Sequence, residues 1–200
     1  MLIKIGTIRG SDKMNQEKNQ NDEFFCNNII DCATLSRKGE ETEQALYERL
    51  RTLVERNPER EHVVFVQSAS KEKEIKAIFR AAVYGNVSLL FGNIFTNEDA
   101  NEAKESAKRA FRALLEEGHE FNGFLPKGIL IDTPLALLSE ISEQGFDFFC
   151  LDAKKISFLL MGAELHHGDC IDEKTKKIVQ KFLPKSIPLY KIDSDFHSIL

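Results

Sequence analysis

The chain has 200 residues, 42% of them hydrophobic and 30% charged, with a formal net charge of −5. That length and balance suit one globular domain over 1–200 with a sizeable core, and the acidic excess argues against nucleic acid as a partner. No apolar run reaches the length of a membrane span, MLIKIGTIRG lacks a secretory h-region, and Cys26, Cys32, Cys150 and Cys170 lack paired C-x-x-C spacing, so a cytoplasmic protein with reduced thiols is expected.

In chain order, the apolar run Leu2–Ile5 reads as a first strand. The polar stretch from Arg9 to Glu23 reads as a loop, mobile over residues 10–23. Its Gly10-Ser-Asp-Lys13 lacks the spacing and the Lys-Ser/Thr ending of a phosphate loop. A short strand is expected around Asn28–Cys32. Glu41–Arg56 carries Leu46, Leu50, Leu53 and Val54 on one helical face, with Asn57-Pro58 as the stop. His62–Gln67 is a continuous apolar run of the kind buried on both sides in a parallel sheet. Ser70 is placed to cap the next helix, whose inner face is Ile75, Ile78, Phe79, Ala82 and Val83, and Val87–Phe91 follows as a strand. Thr96-Asn-Glu-Asp99 forms a capping-box pattern before a long helix that Gly118 ends.

From Lys127 to Met161 the pattern repeats in a tighter form. Two apolar runs, Gly128–Ile131 and Phe146–Leu151, each end in an acid, Asp132 and Asp152, and each leads into helical signals. Thr133 and Pro134 suit the N-cap and first helical positions, and Leu135, Leu138 and Ile141 fall at helical spacing. Strand, acid, helix, and the same again is parallel α/β grammar, with polar groups where α/β active sites sit. Beyond it, His166-His167-Gly168-Asp169 and Cys170 read as a solvated loop rather than a metal centre. A helix capped by Asp172 and a strand over Ile187–Ile192 close the chain.

The residues Gly128-Ile-Leu-Ile-Asp-Thr-Pro134 and Asp147-Phe-Phe-Cys-Leu-Asp-Ala-Lys-Lys-Ile156 resemble the G-[IV]-M-[IV]-E-x-P and D-F-F-S-I-G-T-N-D-L motifs of a known family. It is that of the phosphoenolpyruvate (PEP)-utilising enzymes: Enzyme I of the sugar phosphotransferase system, pyruvate phosphate dikinase and PEP synthase. Glu74–Ile94 is similar to the family's arginine-bearing helix and following strand. The resemblance is clear over about Glu74–Met161. It implies a (β/α) TIM-barrel-like fold, here a shortened or incomplete parallel barrel, because eight strands and about 250 residues are usual.

In that family two acids at neighbouring strand ends hold Mg²⁺ against the carboxylate and phosphate of PEP. By resemblance Asp132 matches the first ligand, while Lys155 stands at the second and Lys154 at the neighbouring Asn. Ammonium groups repel Mg²⁺ and cannot coordinate it. Asp152 stands where the family has Gly; it reads as a helix N-cap, with metal ligation beside Asp132 as the alternative. Arg80 matches a phosphate-binding arginine of the family. Arg80, Lys127, Lys154 and Lys155 together form a candidate basic mouth for an anion. The family's proton-donating cysteine, a further arginine loop and the phosphohistidine domain find no match.

The resulting expectation is a degenerate PEP-utilising-type domain without phosphoryl transfer, serving as a binding, regulatory or assembly module. No cofactor is expected, and the ligand is a small anion such as PEP, pyruvate or phosphate. The alternative is an enzyme or partial enzyme of the phosphotransferase class acting on PEP, pyruvate or another 2-oxo acid, with Mg²⁺ held by Asp132 and Asp152. A homodimer or protein partner is expected to cover the incomplete barrel.

Overall fold

A computed structural model of the chain describes residues 24–25, 29–35, 42–139, 141, 145–160, 162 and 189–191. Seven strands are present among them: β1 (Phe24–Phe25), β2 (Ile29–Asp31), β3 (His62–Val66), β4 (Val87–Phe91), β5 (Lys127–Ile131), β6 (Phe148–Leu151) and β7 (Leu189–Lys191). All pair in parallel, in the order β1-β7-β6-β5-β4-β3-β2. The helices are α1 (Cys32–Leu35), α2 (Glu43–Arg56), α3 (Glu72–Ala81), α4 (Asn97–Glu117), α5 (Pro134–Leu138) and α6 (Ala153–Leu160). This is the expected α/β barrel-like architecture, incomplete because no ladder joins β1 to β2 among the described residues. Those two edges are nevertheless close in sequence. Phe25 and Ile29 are four peptide units apart, at most about 14 Å, so the sheet curls back toward its own start.

Alternation along the strands sorts the core into two sides. Val64, Val66, Leu89, Phe91, Ile129, Ile131, Phe149 and Leu151 pack under the helices with Leu50, Ile75, Ile78 and Leu114. Ile29, Val63, Leu90, Leu130, Phe148 and Cys150 form a second cluster on the opposite, inner face, with Phe65 against it. The inner face is crowded at Gly128, where an added Cβ would lie 2.3 Å from the Phe148 ring on the neighbouring strand. Gly128 pairs in register with Phe148, so the glycine is the space that the ring fills. Such a barrel interior is packed with side chains and leaves its chemistry to the strand ends.

The helix termini follow their sequence signals in most places. Thr42 caps α2, accepting from the Ala45 N–H. The Thr96–Asp99 capping box has both arms, and Gly118 closes α4 in the left-handed conformation. Three expectations need correction, the first being Val83, expected on the inner face of α3 but lying beyond its last residue Ala81 and exposed. The N-cap of α3 is Lys71, with no side-chain bond; the Ser70 hydroxyl is engaged with that of Ser68 instead. On α5 the buried residues are Ala136 and Leu137, followed by Ile141, while Leu135 and Leu138 are 59% and 55% exposed. A five-residue helix makes under two turns, so its inner face is set by the chain entering from Thr133 rather than by a long periodic stripe. The helix α1 was not anticipated. The expected strand at Leu2–Ile5, the loop over residues 10–23, the histidine loop and the Asp172 helix lie outside the described residues. Among the described residues no helix is long and apolar enough to cross a membrane.

Asp99 gives the fold a pH signature. Backbone hydrogen bonding from Phe95, joined by the Thr96 hydroxyl and N–H and opposed by partial burial, holds its carboxyl below the usual range. A depressed acid stabilises the fold above its unfolded-state pKa and loses that contribution as pH falls through the folded-state value. Thermal melts of the wild type and Asp99→Asn should therefore differ at neutral pH and converge below the ordinary carboxylate range. A gap that persists at the most acidic pH would assign the effect to packing.

Candidate functional site

The β5–β6 ladder runs in register from Gly128↔Phe148 to Ile131↔Leu151. The next residue on each strand is therefore an acid at the same end of the sheet, Asp132 beside Asp152. Each is made available by the helix that begins after it. Thr133 accepts from the Ala136 N–H and Pro134 takes the first turn of α5. Asp152 Oδ1 accepts the Lys155 N–H at 2.8 Å and so caps α6. That capping turn places Lys155 over the neighbouring strand end. Its Nζ donates to Asp132 Oδ2 at 2.6 Å, with Asp132 13% and Lys155 41% exposed at the side chain.

Asp132, Asp152 and Lys155 are thus brought together as three consecutive steps of one construction. Lys154 lies beside them in the first turn of α6, half-buried, and makes no ion pair among the described residues. A further acid was missed from the sequence. Asp31 ends β2 at the same edge of the barrel, and its Oδ1 accepts the Ala33 N–H at the start of α1. The signal was present, since Ile29–Ile30 followed by Asp31 repeats the apolar-run-then-acid pattern in miniature.

Arg80 and Lys127 stand elsewhere. Arg80 is 9% exposed in the helix layer. Its guanidinium donates to Glu43 Oε1 at 3.0 Å and Gln44 Oε1 at 2.9 Å, and lies 4.0 Å from the Tyr47 ring centroid. Those partners are on α2, so Arg80 ties α2 to α3. Lys127 opens β5 and therefore sits at the end of the sheet opposite Asp132. Its Nζ donates to the carbonyls of Gly123 and Leu125, both at 3.1 Å.

Mg²⁺, the ion that the sequence resemblance implies, requires oxygen donors in near-octahedral array, typically one or two carboxylates plus the substrate. Here the Asp132 carboxylate already accepts an ammonium, and one oxygen of Asp152 accepts a backbone N–H. The donor set does not fit the ion. One other group of metal-ligand type occurs among the described residues, Glu43, Glu117 and His119, with ligand atoms within 4.8 Å of one another. Lys76 already occupies it, 2.9 Å from Glu43 and 2.6 Å from Glu117. Burial disfavours the Lys76 ammonium, but its bonds to Glu117 and Glu43 outweigh this and raise its pKa. The same bond holds the Glu117 carboxyl below its usual range.

Comparison with known proteins identifies the family. The family model of the PEP-utilising enzyme, PEP-binding domain, matches residues 49–164. The chain belongs to that family. The phosphoenolpyruvate-protein phosphotransferase of Staphylococcus epidermidis is 25% identical over 119 residues, 59% of this chain and 20% of that protein. That of Staphylococcus carnosus is likewise 25% identical over 119 residues. The Listeria monocytogenes protein is 26% identical over 123 residues, 61% of this chain and 21% of its own length. The aligned part is thus about a fifth of the curated relatives. Within this PEP-binding domain the match takes in β3 to β6, Asp132 and Lys155, and leaves out β1, β2, Asp31 and β7.

The two cations should separate in mutants. Arg80→Met removes a buried cation shared by Glu43 and Gln44 and should cost roughly 2 kcal/mol or more. Lys155→Met breaks a pair that is partly solvated and should cost about 1 kcal/mol or less. At this chain length each kcal/mol appears as about 2–4 °C in Tm. Equal melts for Arg80→Met and the wild type would contradict the structural role assigned to Arg80.

Proposed function

We propose that this PEP-binding domain takes up a small carboxylate- or phosphate-bearing anion at the barrel mouth without Mg²⁺, and does not transfer phosphoryl groups. It acts as a binding, regulatory or assembly module. The observation that carries this reading is the 2.6 Å bond from Lys155 Nζ to Asp132 Oδ2. Phosphoryl transfer depends almost wholly on positioning and on neutralising developing charge. A metal that bridges substrate oxygens supplies much of that charge in the family. In this chain an ammonium fixed to the remaining carboxylate takes its place. Lys155 brings one basic side chain to the mouth, and the adjacent Lys154 adds a second. Two ammonium groups suit the carboxylate or phosphate of PEP, pyruvate or inorganic phosphate, but they offer no coordination shell to polarise a leaving enolate.

The second reading is an enzyme or partial enzyme acting on PEP, pyruvate or another 2-oxo acid. It is favoured by the position of Asp31, Asp132 and Asp152 at one end of a parallel sheet, where catalytic groups of such folds stand. Melts with PEP, pyruvate, oxalate or phosphate, each with and without Mg²⁺, distinguish the two. Saturating ligand raises stability by about 2.7 kcal/mol at a hundred times Kd. The binding-module reading expects a shift that Mg²⁺ leaves unchanged. It also expects the triple variant Asp152→Gly, Lys154→Asn, Lys155→Asp to gain Mg²⁺ binding. Micromolar Mg²⁺ affinity of the unaltered protein, measured by calorimetry, would refute it in favour of the enzyme.

Assembly through the α5–α6 side belongs to the same proposal. Leu135 and Leu138 on α5 and Leu159 and Leu160 on α6 are exposed, and the two helices are in contact. Four solvent-facing leucines on touching helices form the kind of apolar surface that a second subunit covers. Light scattering at micromolar concentration should give twice the 22.8 kDa chain mass, reverting to one chain in Leu135→Glu, Leu159→Glu. A wild-type monomer would sink the association.

A further inference from the structure

A second concavity lies on the helix side of the sheet, at the end away from Asp132. The helix α5 spans about 7.5 Å, whereas five residues of β5 span about 17 Å, so α5 covers only the part of the sheet near the mouth. Toward the amino ends of β5 and β6 a groove of about 690 Å³ opens between α4 and the strands. Its floor is aromatic. Phe79 and Phe91 are fully buried there, and Phe146 stands edge-on to Phe91 at 6.5 Å. Phe111 forms one wall, and Phe124, 88% exposed, leans over the rim 5.7 Å from it.

The charge on this groove is one-sided. Lys104, Lys108 and Arg112 follow one another at four-residue intervals along α4, and Lys127 reaches in from β5. Among the described residues the lining includes no acidic side chain, in a chain whose 32 acids outnumber its 27 bases. Lys104 is held in place by its own stem. Gly145 has φ +87° and leaves room for that stem, 3.3 Å from where a Cβ would be, and the ammonium sits 5.1 Å from the centre of the Phe146 ring. Lys108 is paired with Glu105, but both are over half exposed, and such pairs are weak. Lys127 spends two of its three protons on the Gly123 and Leu125 carbonyls, which leaves one. Burial pushes its pKa down, and the Asp147 charge pulls it partly back. The Asp147 carboxylate itself accepts the Lys127 backbone N–H at 2.8 Å.

An aromatic floor, a volume within the range of about 300–1,000 Å³ that small-molecule sites occupy, and a few convergent polar groups are the marks of a ligand pocket. We propose that this groove binds a small amphiphilic anion, its apolar body lying among the phenylalanines and its single carboxylate, sulfonate or phosphate held by Lys127 and the α4 cations. The apolar floor requires the body, and the excess of cations over acids among the described lining residues requires the charge. A bare phosphate would leave the phenylalanines wet, and a neutral lipid would leave the ammonium groups unanswered.

The test is a fluorescence titration of the whole chain with anilinonaphthalene sulfonate, followed by displacement with decanoate, decanol and inorganic phosphate. The expected result is saturable binding that decanoate displaces and that decanol and phosphate do not. Lys127→Met and Arg112→Glu should each weaken the dye and decanoate by about tenfold, the loss of roughly one charge-assisted hydrogen bond. Lys155→Met, at the other end of the sheet, should leave both unchanged. Arg112 is exposed, so its variant keeps the test open if Lys127→Met fails to fold. The proposal is overturned if the dye fails to bind or decanol competes as well as decanoate. It is equally overturned if folded Arg112→Glu binds like the wild type, or if Lys155→Met abolishes binding and moves the site to the mouth.

Discussion

Four parallel rungs between β5 and β6 fix everything at the mouth of this barrel. Because side chains alternate strictly along a strand, a slip of one residue in that ladder would turn every inner side chain outward. It would also break the fit of Phe148 over Gly128, where the ring lies within 2.3 Å of an absent Cβ. The glycine and the ring therefore act as a register lock. With Gly128 opposite Phe148, Ile131 stands opposite Leu151, and the acids that follow come to the same edge. Had the lock failed, Lys155 would have had no carboxylate to meet.

Helix geometry then does the rest. Asp152 caps α6 through the N–H three residues on, and the capped residue is the one whose side chain crosses to Asp132. The N-cap and the ion pair are therefore not independent features. Removing the cap loosens the first turn that aims the ammonium. This coupling explains how Lys155 comes to be an ordered partner of Asp132 rather than a stray surface charge. Positive charge at a helix N-terminus is unfavourable to the macrodipole, so Lys154 and Lys155 stand at a disfavoured position. The Asp132 carboxylate compensates one of them.

Much of this was legible in the residues. Continuous apolar runs gave β3 to β6, and the caps at Thr96, Thr133 and Asp152 were readable because a short oxygen-bearing side chain before a helical pattern has few other uses. The family resemblance drew attention to Asp132 and Lys155, and periodicity alone could not have done so. Arg80 shows the limit. A motif places it on a helix, but whether its guanidinium turns to the sheet or sideways depends on what α2 presents. Glu43, Gln44 and Tyr47 are invisible to a reading made one element at a time. Lys127 shows another limit. Although it is the first residue of the Lys127–Met161 stretch, it lies a full strand length from the mouth it was expected to join. Leu135 and Leu138 were misjudged because three positions at helical spacing suggest a face only when the helix is long enough to have one.

That strand length has a consequence of its own. Lys127 opens β5 and Asp132 follows its last residue, so their Cα atoms are separated by about 17 Å of extended backbone. The distance exceeds the Debye length of about 8 Å at physiological ionic strength, and the intervening residues are held in ladders on both sides. Charges added at one end are therefore screened from the other, and substitutions more than about 10 Å apart with no shared partner combine additively. A fold of this kind can hold an anion at each end of the same strand without either influencing the other electrostatically. Any coupling between mouth and groove would have to travel through packing, and β5 and β6, buried on both faces, offer it little freedom to do so.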